Sequence, residues 1–288
     1  MSIFSSSQIK RITTLVFLLV SMSFSTVDAD EFRDLNFKLF DAAKEGDLSL
    51  VKQLIDQGAS VKARNRFGNS ALIYASRTGK LELVSYLLDK GSEINLLNTK
   101  GENVLMGASK AGHLALVKYL LEQGAEINHF SLKRVTALAE AVYAEHSEVV
   151  QLLLENHARV DIVDNTGKTA LIYSAASGNT EIIKLLLPHT ENVDQKYGHD
   201  LTVLMWASGY GQLDAVNLFL NADADANLQD DRGRSALMMA AEAGHTEAVE
   251  TLLKRGAKAS LKDKNGKTAF DLAVDANKKD VARLLSSP

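Results

Sequence analysis

The chain has 288 residues, 46% hydrophobic and 24% charged, with a formal net charge of -4. That balance is ordinary for a globular protein, and no run of Lys and Arg is suited to gripping a phosphate backbone, so nucleic acid is not an expected partner. Cysteine is absent and proline occurs twice, which excludes a disulfide framework, a thiolate nucleophile and a Cys-based zinc site, and favours helix.

The N-terminus reads as an export signal. Lys10 and Arg11 precede an apolar run from Ile12 to Phe24, and a polar stretch follows with Val27 and Ala29 at the two small-residue positions before a cut. This three-part plan predicts a signal peptide over residues 1–29, cleaved between Ala29 and Asp30. The apolar run falls short of the roughly 20 residues that span a bilayer. No cysteine follows it to carry a lipoprotein anchor. After cleavage, no stretch remains that predicts stable membrane insertion. The rest of the chain lacks an Asn-x-Ser/Thr sequon as well as cysteine, which points to a bacterial periplasm, with release outside the cell as the alternative.

From residue 32 onward one apolar column recurs every 33 residues without insertion or deletion: Leu39, Leu72, Leu105, Leu138, Leu171, Leu204, Leu237 and Phe270. Seven residues after each anchor stands Gly46, Gly79, Gly112, Gly178, Gly211 or Gly244, with Glu145 and Asn277 as exceptions. A Leu-Leu type pair follows, and then a second glycine at Gly58, Gly91, Gly124 and Gly256. An Asx-x-x-Gly turn opens at Asn65, Asn98, Asp164, Asp230 and Asp263. Ser70, Thr136, Thr169, Thr202, Ser235 and Thr268 fit the N-cap of a first helix. The pattern predicts two short helices per unit, a positive-φ glycine between them and another after the second. No unit can bury its apolar face alone, so neighbours must cover it. The ends then need polar outer faces, met by Arg33, Asp34 and Lys38 at one end and Asp271, Lys279, Asp280 and Arg283 at the other.

The segments Asp164–Leu187 and Gly233–Ala257 carry the resemblance: the units resemble the ankyrin repeat over nearly all of residues 32–288. The resemblance implies an all-α ankyrin-repeat solenoid of eight 33-residue helix-turn-helix units, caps included. The domain covers residues 30–288, with repeats at about 32–64, 65–97, 98–130, 131–163, 164–196, 197–229, 230–262 and 263–288. One departure is consistent: the family's Thr-Pro-Leu-His becomes Thr/Ser-Ala-Leu-Ile/Met, as in Thr169–Ile172 and Ser235–Met238. Apolar packing must replace the family's histidine hydrogen bond there. The chain is also similar to exported bacterial ankyrin proteins, which implies a scaffold in periplasmic stress defence or an inhibitor or immunity-type partner. A secreted effector that grips a host protein is the alternative.

No catalytic, cofactor or metal site is expected. The seven histidines include no His-x-x-x-His pair, and His113, His146 and His245 share one column of the repeat. Asp223–Asn227 begins like a calcium loop, but Leu228 stands where glycine is needed and Arg234 where a bidentate Glu is needed. Gly167-Lys168-Thr169 and Gly266-Lys267-Thr268 lack the upstream glycine of a phosphate loop.

The expected partner is another protein. The resemblance implies docking on turn tips and first helices, where the second position after each anchor projects. Tyr74, Tyr173, Trp206 and Met239 occupy that position, and Tyr210 lies one helical turn beyond Trp206. Aromatic residues and Met are enriched at interfaces. Leu132, Val135 and Leu201 sit at turn tips that have lost the usual pattern, and are expected to be exposed. Lys168, Arg232 and Arg234 at the tips read individually as solvated charge, with pairing to acidic groups as the alternative.

Overall fold

The computed structural model describes residues 29–286. The expected signal peptide lies outside these described residues, apart from Ala29. Among the described residues sixteen α-helices form eight pairs in chain order. The first helices are α1 (Ala29–Glu45), α3 (Ala71–Ala75), α5 (Val104–Lys110), α7 (Ala137–Tyr143), α9 (Ala170–Ser177), α11 (Val203–Gly209), α13 (Ala236–Ala243) and α15 (Ala269–Asp275). The second helices are α2 (Leu48–Asp56), α4 (Leu81–Asp89), α6 (Leu114–Glu122), α8 (Ser147–Glu155), α10 (Thr180–Leu186), α12 (Leu213–Asn221), α14 (Thr246–Lys254) and α16 (Lys279–Ser286). First helices stack on first helices and second on second, so the chain builds an all-α solenoid. Among the described residues the only extended pairing is two isolated bridges, Phe130 with Thr136 and Tyr197 with Leu201.

Local chemistry sets each element. Ser70, Thr136, Thr169, Thr202, Ser235 and Thr268 all accept a backbone N–H bond from the third residue of the helix they open, and Asn103 does the same in repeat three. Each Asx turn closes on itself: Asp164 Oδ1 accepts from the N–H of Thr166 and of Lys168, and Asn98 Oδ1 from Lys100 and Glu102. Adjacent hairpins are joined by backbone bonds, such as Leu132 N–H to Lys100 O at 2.9 Å and Lys264 N–H to Arg232 O at 2.9 Å.

The anchor leucines are buried in the first seven repeats, whereas Phe270 in the eighth is 38% exposed, with no further helix pair over it among the described residues. The polar-cap expectation holds for Arg33, Asp34, Lys38, Lys279, Asp280 and Arg283 but not for Asp271, which is half-buried with its carboxylate turned back onto Thr268, and it is incomplete, since Phe37, Phe270 and Val274 are exposed as well. Ile73, Met106, Ile172, Met205 and Met238, at the family's histidine position, are buried and supply the apolar packing expected of them.

The column of interhelical glycines has a cause that lies in the next repeat. Gly112 has φ +73°, and a Cβ added there would fall 2.6 Å from the His146 ring, which reaches back to bond Lys110 O at 3.1 Å. His113, His245 and Gln212 make the same bond to Arg77, Gly209 and Ala176. Glu145 also holds positive φ, at 60°, yet the following repeat offers Asn179, whose side chain caps its own helix. Asn277, the other exception, also holds positive φ, at 57°, and no further helix pair lies over it among the described residues. Glycine is required where a long neighbouring side chain lies across it.

Candidate functional site

The face made by hairpins and first helices gathers most of the aromatic residues expected to bind. Trp206 on α11 and Tyr210 at its C-cap stack with ring centroids 5.8 Å apart. Tyr173 on α9 meets Tyr143 edge-on at 5.7 Å. Between these pairs stands Lys168, at the hairpin of repeat five, with its ammonium 5.8 Å from the Tyr173 ring and 5.3 Å from the Trp206 ring. Contacts of this kind contribute about 0.5–1 kcal/mol when exposed, and more once a partner excludes water. Tyr143, Tyr173, Lys168, Trp206 and Tyr210 thus form one continuous aromatic and cationic ladder across repeats four to six.

Tyr143 was not among the residues read from sequence, although it is 69% exposed. It stands five residues after its anchor, on the turn of helix beyond the second position, and inspection of that fifth column would have found it. The same column holds Arg77, Lys110, Glu242 and Asp275.

The ladder continues into a cleft of about 300 Å³ between repeats six and seven. Leu201, Met205, Trp206, Tyr210 and Met239 supply apolar walls, while Arg232, Arg234 and Glu242 supply polar ones. Tyr210 is 57% exposed, and Trp206 and Met239 are half-buried. Leu201 is half-buried here rather than exposed, because its hairpin folds it against the cleft. Val135 is likewise half-buried, its N–H bonded to Ser131 Oγ. Leu132 alone of the three tip residues stands clear, 72% exposed.

Tyr74 is set apart from the ladder. Its hydroxyl takes a bond from Asn65 Nδ2 at 2.8 Å and its ring packs near Phe40. Gly107 and Glu140 occupy the intervening second positions, so the aromatic run is broken there. Leu272, the last residue of that column, is buried rather than projecting.

Electrostatics at the ladder follow from burial and hydrogen bonding. Burial raises the Tyr173 hydroxyl above its ordinary pKa, and its bond to Asp164 adds to the shift. Burial alone would raise Asp164 too, but bonds from Tyr173, Lys168 and Thr166 outweigh it and hold the carboxyl below the usual range. Asp164 is therefore ionised and Tyr173 neutral at neutral pH. Among the described residues no group of His, Asp and Glu is placed to hold a metal ion.

A family model described as ankyrin repeats (3 copies) matches residues 39–131, 129–197 and 204–288. This chain belongs to the ankyrin-repeat family. No curated protein matches it. Ankyrin repeats mediate protein–protein interaction, and this chain is a protein-binding scaffold at that level of description. No helix among the described residues is long and apolar enough to cross a membrane.

Proposed function

We propose that the protein works after export, as a non-catalytic periplasmic scaffold that grips a partner protein along the ladder from Tyr143 to Met239. The observation that carries this reading is the Lys168 ammonium seated between Tyr173 and Trp206. Tyr and Trp contribute much of the binding energy at interfaces because they bury large rigid surface at small entropic cost. Here they stand on helices whose own cores are closed, so they are available to a partner without cost to the fold. The composition of residues 1–29 supports the export step, and a role in stress defence or as an inhibitor of another periplasmic protein suits such a scaffold.

Two experiments test the reading. Fractionation of the native cell should place the processed chain in the periplasm, and recovery of unprocessed chain from the cytosol would defeat the export step. Column capture with the mature chain, with Trp206→Ala run in parallel, should retain a protein on the wild type alone. If every retained protein binds both columns equally, the groove is elsewhere.

A further inference from the structure

Charge is distributed unevenly over the molecule. The seven hairpin segments, residues 64–69, 97–102, 130–135, 163–168, 196–201, 229–234 and 262–267, hold twelve Lys and Arg against six Asp and Glu. The whole chain carries -4, so the segments are at +6 and everything outside them is at -10. Three of the six acids, Asp164, Asp230 and Asp263, are buried in the Asx turns with an oxygen committed to backbone N–H groups. A fourth, Glu102, is bonded to Arg77 and Asn98. Carboxylates on the neighbouring first helices are also paired: Glu140 with Lys110 at 3.0 Å, Glu242 with Arg234, and Asp275 with Lys267. Those pairs also occupy Arg234 and Lys267, and Arg232 pairs with Asp230 at 3.4 Å, so the edge is positive by its net excess of cations; Lys168 touches the rings of the ladder and Arg232 stands on the rim of the Trp206 cleft.

We infer that the partner presents an acidic, extended segment that runs along this edge and places one aromatic or long aliphatic side chain between Trp206 and Met239. The inference rests on the groove proposed above and adds the chemistry of what fills it. The negative remainder of the molecule repels such a segment from every other face and steers it to the edge. The cleft, about 300 Å³, is at the small end of ligand pockets and suits one large side chain. Nucleic acid fits less well. Its phosphates are closely spaced, whereas these cations step with the repeats, about 8–10 Å apart as packed helices are, and carboxylates share the walls.

Trp206 is the only tryptophan, so its emission reports on the cleft directly. The experiment selects short random peptides displayed on phage against the mature chain, then titrates the enriched peptides in synthetic form at about 50 mM and about 300 mM NaCl, on either side of the roughly 10 Å screening length at 0.1 M. Enriched peptides should be acidic with a single Phe, Trp, Leu or Met, and should shift Trp206 emission. They should weaken roughly tenfold between the two salts and roughly tenfold again in Lys168→Glu/Arg232→Glu. If the peptides that move Trp206 emission are neutral or basic, ignore salt and charge reversal, or are displaced by a single-stranded oligonucleotide, the acidic partner is wrong and the groove stands. If acidic peptides bind yet leave Trp206 emission unmoved, and bind Trp206→Ala equally well, the groove itself is wrong. An empty selection counts against both.

Discussion

Two clefts on the same face of the solenoid make the most instructive comparison. Between repeats two and four, Arg77, Lys100, Glu102, Lys110 and Glu140 surround Gly107 in a polar cleft of about 390 Å³. Between repeats six and seven, Trp206, Tyr210, Met205 and Met239 surround a cleft of about 300 Å³. The helices that wall them are alike: α5 and α11 each have seven residues, a polar N-cap and a buried leucine anchor. Gly107 and Trp206 occupy the same position in their repeats. The frame is invariant, and the side chains leaving it decide what each stretch can bind.

The largest test of the common frame is truncation of its anchors. Leu105→Ala and Leu204→Ala should each cost roughly 2–5 kcal/mol as fully buried leucines. Urea titrations followed by circular dichroism and Trp206 emission would measure both. Costs that differ several-fold would show the two regions are not built alike. Because each repeat touches only its neighbours, Leu105→Ala is also the variant in which the two probes would separate if the stack unfolds in parts.

Backbone strain comes next. Gly112→Ala and Gly211→Ala place a Cβ at 2.6 Å from His146 and 2.5 Å from His245, at positive φ, and should each cost about 1–3 kcal/mol. Glu145→Gly should instead stabilise by up to about 1 kcal/mol, by relieving a strained non-glycine residue. Thermal melts would decide, and a harmless Gly112→Ala would refute the account of the glycine column.

Acid should distinguish the halves by a smaller margin. The corner of the hairpin is Asn98 in repeat three and Asp164 in repeat five. Asp164 is depressed in the folded state, so its contribution is present above its unfolded pKa of about 4 and is lost as pH falls through the lower folded value. Asp164→Asn should flatten the acid limb of the stability curve, and Asn98→Asp should steepen it. No change in slope for either would contradict the assignment. The smallest effect is expected at Leu132→Ser, within about 0.5 kcal/mol in a denaturant titration, since that side chain makes no core contact to lose.

Much of this is legible in the amino-acid sequence. The 33-residue register predicted the helix pairs, the caps Ser70 to Thr268 and the positive-φ positions, because each depends on a residue and its near neighbours in the chain. Trp206, Tyr210, Tyr173 and Met239 could be placed on one face by helical spacing alone. Tyr143 is legible in the fifth column of the repeat, but its pairing with the ring of Tyr173, thirty residues away, is not. Leu201 and Val135 were read as exposed because how a degenerate hairpin folds back is not encoded in its composition.

Periodicity and capping chemistry are local, repeat eight times and reinforce one another, so the amino acids alone determine the solenoid and its register. The stacking of His146 over Gly112, the seating of Lys168 between two rings and the closure of the cleft beside Met239 join neighbouring repeats through side-chain directions that no linear pattern contains. Those were decided only when the repeats came together, because the energy of each depends on a partner supplied by the next unit.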